Sequence, residues 1–214
     1  TARSHYNGVP LQKDVLTKIK EETTKHGFEF AYSNEKTIVQ LLLDQNQLTL
    51  FEDLESETMR TELNALFRFS KEEAEARKDG LWSRCMSFPG LLMKSVFHNY
   101  QTWDRGMLKK IIARLYNTSF KGTTTIGWIV GYFNHTNEYV NFGRLMARNW
   151  LLFTKHDAYI QPFGSLLTNE KAYEKISQGL QISDNQKICM IFRVGYSKTP
   201  TRSYRLPLNE IIIH

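Results

Sequence analysis

Hydrophobic residues recur at helical spacing in the longer stretches of this chain and alternate with polar residues in the shorter ones. The pattern predicts helices over residues 11–26, 34–51, 56–69, 103–116, 138–156 and 169–180, and strands over 28–32, 123–133, 187–194 and 206–213. The stretch 81–102 has no clear period and is predicted to be irregular. Helices and strands are interspersed without regular βαβ repeats, which predicts an α+β fold, a central sheet wrapped by helices, in a single domain over residues 1–214.

The helix predicted over 138–156 is the most apolar of the chain. Its hydrophobic residues cover more than one face, so we expect it to be buried all round. Ser70 and Glu73 lie three residues apart at the start of a charged stretch, in the arrangement typical of a helix capping box.

The composition is that of a globular protein that can bury a sizeable core. Of 214 residues, 41% are hydrophobic and 23% charged, which excludes wholesale disorder. Two cysteines, Cys85 and Cys189, cannot form a disulfide framework and fit a reducing compartment, so we expect a cytoplasmic location. No apolar run approaches the roughly 18 residues that a membrane span needs, so no membrane partner is expected.

The net charge of +6 suits an anionic partner, although it is equally compatible with no specific partner. The cations are not concentrated into a stripe, so a nucleic-acid partner is not expected. The six histidines are scattered without metal-ligand spacing, and no metal site is predicted. Lys198, Arg202 and Arg205 share one short loop near the end of the chain, where they could clamp a phosphate or form a solvated loop.

Three stretches of the last hundred residues carry a resemblance to a known family. They are an apolar helix with an early glycine at 141–156, the segment Gln161-Pro162-Phe163-Gly164, and a glycine-ended strand at 192–197 that leads to a basic segment at 202–212. In this order and at these distances they resemble the FMN-dependent nitroreductase superfamily. Thr1 and Arg3 are similar to the second half of that family's opening motif, whose leading basic pair would lie before residue 1, so we expect a fragment of a longer protein.

Two departures from the family pattern concern the rest of the chain. Residues 28–40 contain neither proline nor tryptophan, where the family carries an Asn and a Pro-Trp near the flavin. The chain is in this respect similar to a divergent branch found as double-length proteins or fused to a ThiF-type adenylating domain. Residues 70–122 match no family segment and are the candidate lid insertion.

The resemblance implies a homodimer with FMN at its interface and NAD(P)H as co-substrate. The implied activity is hydride transfer from nicotinamide, through the flavin, to a small electrophilic substrate, with no side chain that must act as acid or base. The residues implied to bind the cofactor are Arg202 and Arg205 at the phosphate with the Thr1 hydroxyl, Arg3 at the electron-rich edge of the ring, and Gln161, Pro162, Phe163 and Gly164 against the ring.

Two alternatives stay open at this point. The first is a degenerate flavin-binding or non-catalytic domain that partners an adenylating domain, which the incomplete opening motif and the departures at 28–40 favour. The second is an anion-binding or nucleic-acid-associated module, which only the net charge and the loop cations support.

Overall fold

The structure is a computed structural model that describes residues 1–133 and 135–212. In chain order its elements are α1 (Lys13–Lys25), β1 (Glu29–Ser33), α2 (Lys36–Glu55), α3 (Glu57–Leu66), β2 (Phe67–Arg68), α4 (Lys71–Arg77), β3 (Leu81–Trp82), a 3-10 turn (Ser83–Met86), α5 (Gly90–His98), α6 (Tyr100–Trp103), α7 (Gly106–Thr118), β4 (Thr125–Gly131), α8 (Thr136–Lys155), β5 (Tyr159–Pro162), α9 (Ser165–Thr168), α10 (Glu170–Gly179), β6 (Lys187–Gly195) and α11 (Leu208–Ile211). Helices and strands are mixed, which confirms the predicted α+β class in its general form.

The chain divides into two compact units. The first comprises Thr1–Thr49 and Phe120–Lys198, and the second comprises Leu50–Ser119 with the described tail residues 199–212. A four-stranded sheet in the first unit has the order β1-β4-β6-β5, and every neighbouring pair is antiparallel. A short parallel pair, β2 and β3, lies in the second unit. The single domain over 1–214 and the lid at 70–122 stay predictions.

The core of the first unit forms where α1 and α8 pack with the sheet. Val15 and Ile19 on α1, Leu145 and Phe153 on α8 and Phe192 on β6 belong to one buried cluster. The α1 residues are spaced four apart and therefore share one helix face, which explains why the periodicity of this segment predicted its structure. The edge of the Phe153 ring meets the Phe192 ring at a centroid distance of 5.8 Å, an arrangement that aromatic pairs favour.

The second unit has a core of its own, rich in aromatic side chains. Its buried residues are Phe51, Leu54, Val96, Tyr100 and Ile112, and Phe88, Phe97 and Trp103 pack against them. The aromatic residues of the stretch 81–102 therefore contribute mainly to packing inside this unit. The Tyr100 hydroxyl donates to the Phe51 carbonyl at 3.2 Å, which satisfies its polar end.

Three expectations about local structure are corrected. Residues 81–102 contain the regular helix α5, which begins directly after Pro89, a residue tolerated at a helix start. The strand predicted over 206–213 is wrong: residues 208–211 form the short helix α11 after Pro207, and Ile213 lies outside the described residues. The expectation that the helix over 138–156 is buried all round is also wrong, because Val140 and Leu151 on α8 are 54% and 71% exposed.

The other strongly periodic segments are confirmed within a few residues at their ends. The predicted cap at the start of α4 is confirmed in part: Ser70 Oγ accepts from the Glu73 N–H at 3.1 Å, whereas Glu73 Oε2 accepts from the N–H of Phe69 at 2.9 Å and not from that of Ser70 as in a full capping box. Within the described parts of the chain, no helix is both long and apolar enough to cross a membrane.

Candidate functional site

A fully buried arginine near the end of β6 joins several segments of the first unit. Arg193 has no exposed surface. Its Nε donates to Gln161 Oε1 at 2.8 Å, and its Nη1 donates to Thr123 Oγ1 at 3.1 Å. Its Nη2 donates to the carbonyl oxygens of Ser4 at 2.8 Å and Ala2 at 3.4 Å. The guanidinium fork thus connects the first residues of the chain, the loop before β4 and strand β5, which no shorter cation could contact at once.

Two aromatic rings enclose the same guanidinium. Its central carbon lies 4.2 Å from the ring centroid of Tyr6 and 4.7 Å from that of Phe120, within the range of cation–π attraction. Burial raises the pKa of Tyr6 to about 12, although the nearby Arg193 charge acts in the opposite direction. The phenol therefore keeps its proton at neutral pH and donates to the Tyr159 carbonyl at 3.2 Å.

Backbone hydrogen bonds hold the segment that follows the first residues. The N–H of Tyr6 donates to the Lys121 carbonyl and that of Asn7 donates to the Tyr196 carbonyl, both at 2.9 Å. A Cβ atom at Gly195 would lie 2.6 Å from the Tyr6 ring, so only glycine allows this ring to pack against the end of β6. The predicted residue Arg3 is half-buried and lies between Ala2 and Ser4, whose carbonyls Arg193 binds, and Thr1 is exposed.

The predicted ring-binding segment 161–164 ends β5 and begins α9. The Gln161 and Phe163 side chains are buried, and Phe163 packs edge-on against Phe120 at a centroid distance of 5.8 Å. The Phe163 N–H donates to the Ile191 carbonyl at 2.9 Å. The Gln161 and Phe163 side chains therefore support the segment from inside, and Gln161 also accepts a hydrogen bond from Arg193. The outer surface of segment 161–164 is formed by the half-buried Pro162 and the exposed Gly164.

The predicted phosphate ligands Arg202 and Arg205 are both exposed in the tail of the second unit. Arg205 Nη1 donates to the Gly80 carbonyl at 2.9 Å and to its own neighbour's carbonyl, that of Tyr204, at 2.8 Å. Both hydrogen bonds that Arg205 makes with described residues thus use Nη1. Its Nε and Nη2 are therefore able to donate to another acceptor. A guanidinium held at one end in this way is oriented for a bidentate contact with an anion.

Neighbouring tail residues attach to the segment that contains β3. Ser203 Oγ accepts from the Trp82 N–H at 3.1 Å and lies 3.3 Å from Cys85 Sγ. The Tyr204 ring lies against Trp82 at a centroid distance of 5.7 Å, and its hydroxyl is hydrogen-bonded to the Glu75 carboxylate, which raises the pKa of Tyr204. The ring contact of Tyr204 and the hydrogen bonds of Ser203 and Tyr204 therefore fix the residues that directly precede Arg205.

Other described groups that could carry chemistry are the two thiols and the residues that line one surface cavity. The described residues include no group of three or more His, Cys, Asp or Glu side chains that could hold a metal ion. Both cysteines are free thiols, and burial raises the pKa of Cys189 to about 12, which makes it a poor nucleophile. A surface cavity of about 200 Å³ in the second unit contains none of the predicted site residues; its lining is Glu57, Arg60, Thr61, Asn64, Phe97 and His98.

The residues present fit a flavin nucleotide in their chemistry. Arg202 and Arg205 offer exposed cationic donors to a phosphate, and Arg3 offers a further cation in the first unit. A Cβ atom at Gly164 would meet nothing within 4 Å, so the backbone there faces open space that a flat ring can approach. Sequence reasoning overlooked Arg193, although an arginine between the apolar residues Phe192 and Val194 of a predicted strand was a visible signal for a buried cation.

Comparisons with solved structures identify the fold. The chain is similar over its whole length to a nitroreductase-like family protein from Bacillus cereus, with 15% identity, 90% of that chain covered and a TM-score of 0.52. It is similar to a nitroreductase with bound FMN from Desulfitobacterium hafniense, with 10% identity, 92% covered and a TM-score of 0.57. It is similar to the FMN-dependent nitroreductase NfnB from Mycobacterium smegmatis in complex with NADPH, with 15% identity, 93% covered and a TM-score of 0.56.

Comparisons of the sequence itself find no relative. No model of a known protein family matches the chain. No curated protein matches it either. The similarity to nitroreductases is therefore a similarity of fold, spread over the full length of the chain at identities of 10–15%.

Proposed function

We propose that this chain, which has the nitroreductase fold, is an FMN-dependent oxidoreductase that uses NAD(P)H to reduce a small electrophilic substrate. The observation that carries the proposal is the full-length fold similarity to structures whose names include bound FMN and NADPH, combined with exposed cations at Arg202 and Arg205. The net charge of +6 also suits an anionic cofactor and co-substrate.

In this proposal the two tail arginines bind the FMN phosphate. Arg205 is the main ligand, because Gly80 orients its guanidinium and leaves Nε and Nη2 for phosphate oxygens. Arg202 adds a second exposed cation in the same tail. The resemblance also implies the Thr1 hydroxyl as a neutral donor to the phosphate. Each charge-assisted hydrogen bond of this kind contributes about 1.5–3 kcal/mol.

The residues that the resemblance assigns to the flavin ring belong to the first unit. Arg3 would lie at the electron-rich edge of the ring, where a positive charge stabilises the reduced, anionic form. Pro162 and Gly164 present backbone and apolar surface to the ring face, and Gln161 and Phe163 hold that segment from below. When bound, FMN supplies the redox chemistry, accepting two electrons as hydride from nicotinamide and passing them to the substrate. The chain's residues bind and orient it, and none of them needs to act as an acid or base.

A homodimer belongs to the same proposal. Val140 and Leu151 are exposed on α8 and lie eleven residues apart, which returns them to nearly the same side of the helix. Exposed apolar residues on one helix face are typical of a surface that a partner covers. A cytoplasmic location is also part of the proposal and agrees with the two free cysteines.

The test of the proposal is an absorption spectrum followed by an oxidation assay. The purified protein is soaked with FMN, desalted and scanned in the visible range, and we expect a retained flavin band of about one FMN per chain. The loaded protein is then mixed with NADH or NADPH and a nitroaromatic or quinone acceptor, and nicotinamide oxidation is followed. The double variant Arg202→Ala/Arg205→Ala is the control and should be colourless after desalting.

One alternative is a domain that has the same fold but catalyses no reaction. Residues 28–40 lack the proline and tryptophan that the resemblance associates with the flavin, which favours a non-catalytic domain that partners an adenylating domain. A protein that remains colourless after FMN soaking would refute the oxidoreductase proposal and favour this alternative. Flavin uptake without nicotinamide oxidation would indicate a flavin-binding domain without turnover.

A further inference from the structure

Arg193 connects the two parts of the first unit that the proposed function assigns to the flavin ring. One part is Arg3, between the two residues whose carbonyls Arg193 Nη2 binds. The other is the segment 161–164, whose first residue, Gln161, accepts from Arg193 Nε at 2.8 Å. These parts are far apart in sequence, and one buried guanidinium binds both.

We infer that Arg193 is a positioning residue for the flavin site: by holding the carbonyls of Ala2 and Ser4 and the amide of Gln161, it places Arg3 relative to segment 161–164. This inference rests on the proposed function. Arg193 itself is fully buried, so in this inference it acts through these neighbours.

The contacts of the first residues show why Arg193 has this role. Tyr6 and Asn7 are held by their own backbone hydrogen bonds to Lys121 and Tyr196, which do not depend on Arg193. Arg3 lies upstream of those bonds, in a stretch where Arg193 binds the carbonyls of both adjacent residues. Loss of the guanidinium fork is therefore expected to loosen Arg3 while the chain from Tyr6 onward keeps its place.

The shape of the guanidinium is what the role requires. The cation meets acceptors through Nε, Nη1 and Nη2, and the rings of Tyr6 and Phe120 lie 4.2 and 4.7 Å from its central carbon. A lysine would keep the charge but has one nitrogen, which cannot contact acceptors on three sides of a planar group. Arg193→Lys thus removes the positioning and retains the charge.

The test is a double-mutant cycle on FMN affinity, measured by quenching of flavin fluorescence. Arg193→Lys and Arg3→Ala should each weaken binding by about tenfold or more, as expected for the loss of a charge-assisted hydrogen bond. If Arg193 acts through Arg3, the double variant should bind no more weakly than Arg193→Lys alone. Losses that multiply, to about a hundredfold, would show independent effects and overturn the inference.

A control separates positioning from general loss of stability. Thr23 is fully buried in the same unit, and its Oγ1 accepts from Asn149 Nδ2 at 3.0 Å, away from residues 2–7. Thr23→Val removes this hydrogen bond and should leave FMN affinity unchanged. Should Arg193→Lys fail to fold, Thr123→Val takes its place in the cycle, because it removes a single Arg193 hydrogen bond and should show the same coupling to Arg3→Ala at a smaller size.

A second measurement does not depend on the cofactor. Amide hydrogen exchange over residues 3–5 of the flavin-free protein should be faster in Arg193→Lys than in wild type and unchanged in Thr23→Val, whereas the amides of Tyr6 and Asn7 should keep their protection in both. Unchanged exchange in Arg193→Lys would overturn the anchoring itself. Wild-type protein that takes up no FMN would refute the proposed function and the flavin step of this inference, while the exchange result would still decide whether Arg193 anchors the segment.

Discussion

Removing the Tyr6 hydroxyl should destabilise the protein at neutral pH and cease to do so in alkali. The hydroxyl donates to the carbonyl oxygens of Tyr159 and Ala2 in an almost fully buried site. Tyr6→Phe keeps the ring against Arg193 and deletes only this donor, which costs about 1 kcal/mol of unfolding free energy for a typical buried hydrogen bond. We therefore expect the variant to be less stable than wild type by that amount at pH 8.

The alkaline effect follows from the raised pKa of Tyr6. The ordinary value is 10.0 and burial raises it to about 12 in the folded protein, so between these values the unfolded chain loses the proton first. The stability that Tyr6 contributes is fully present below pH 10 and is lost as the pH rises through 12. At pH 11 the loss is about 1.4 kcal/mol, because one pH unit above the unfolded value corresponds to one factor of ten in the proton equilibrium.

Phenylalanine has no proton to lose, so the difference between the two proteins should vanish by pH 11. The assay is urea unfolding of both proteins at pH 8 and pH 11, followed by circular dichroism, with the free energies extrapolated to water. Tyr32→Phe, at an exposed ring on β1, is the matched control for loss of a surface phenol. A Tyr6→Phe difference that is equally large at both pH values would refute the proposed burial of this phenol beside Arg193.

Three further predictions concern the cofactor, the dimer and a helix cap. Arg205→Ala should weaken FMN binding by about 1.5–3 kcal/mol in a fluorescence titration, whereas Lys198→Ala should not; equal affinities for Arg205→Ala and wild type would remove Arg205 from the site. Leu151→Asp should convert the proposed dimer to a folded monomer, which sedimentation measures; an unchanged mass would mean that α8 is not the interface. Ser70→Ala should lower the unfolding free energy by about 1 kcal/mol, because the Glu73 N–H loses its acceptor; an unchanged urea midpoint would contradict the cap.

Local patterns sufficed where an element buries one face against the rest of its own unit. The apolar residues of α1 at Val15 and Ile19 repeat at helical spacing because that face packs on the sheet, and the periodicity predicted the helix correctly. The strand prediction for segment 206–213 was wrong for the opposite reason. Its described apolar residues are exposed, at Leu206, Leu208, Ile211 and Ile212, so burial imposes no period on them. A short apolar run cannot be distinguished as strand or helix by pattern alone, and α11 was therefore missed.

Local pattern was also insufficient to predict the structure of the stretch 81–102. Its many aromatic residues and its Pro-Gly pair resemble a loop, yet Pro89 directly precedes α5 and the rings pack into the second core. Aromatic residues are enriched in strands, so their presence in this stretch gave no indication of the helix α5. The tertiary contacts of these rings in the second core, which form only when the chain folds, decided where they pack.

By itself the sequence determined the general fold class and the main helices and strands, because these depend on local periodicity. The candidate cofactor residues came from a resemblance of short motifs and stay a proposal. Only the tertiary structure decided what those residues contact: Gln161 turned out to bind a buried arginine, and Arg205 to be oriented by Gly80. The role of Arg193 depends on residues near 2–6, 120–123 and 161 meeting around one cation. A buried charge is stable only where its acceptors surround it, and distant segments that supply those acceptors come together only when the chain folds.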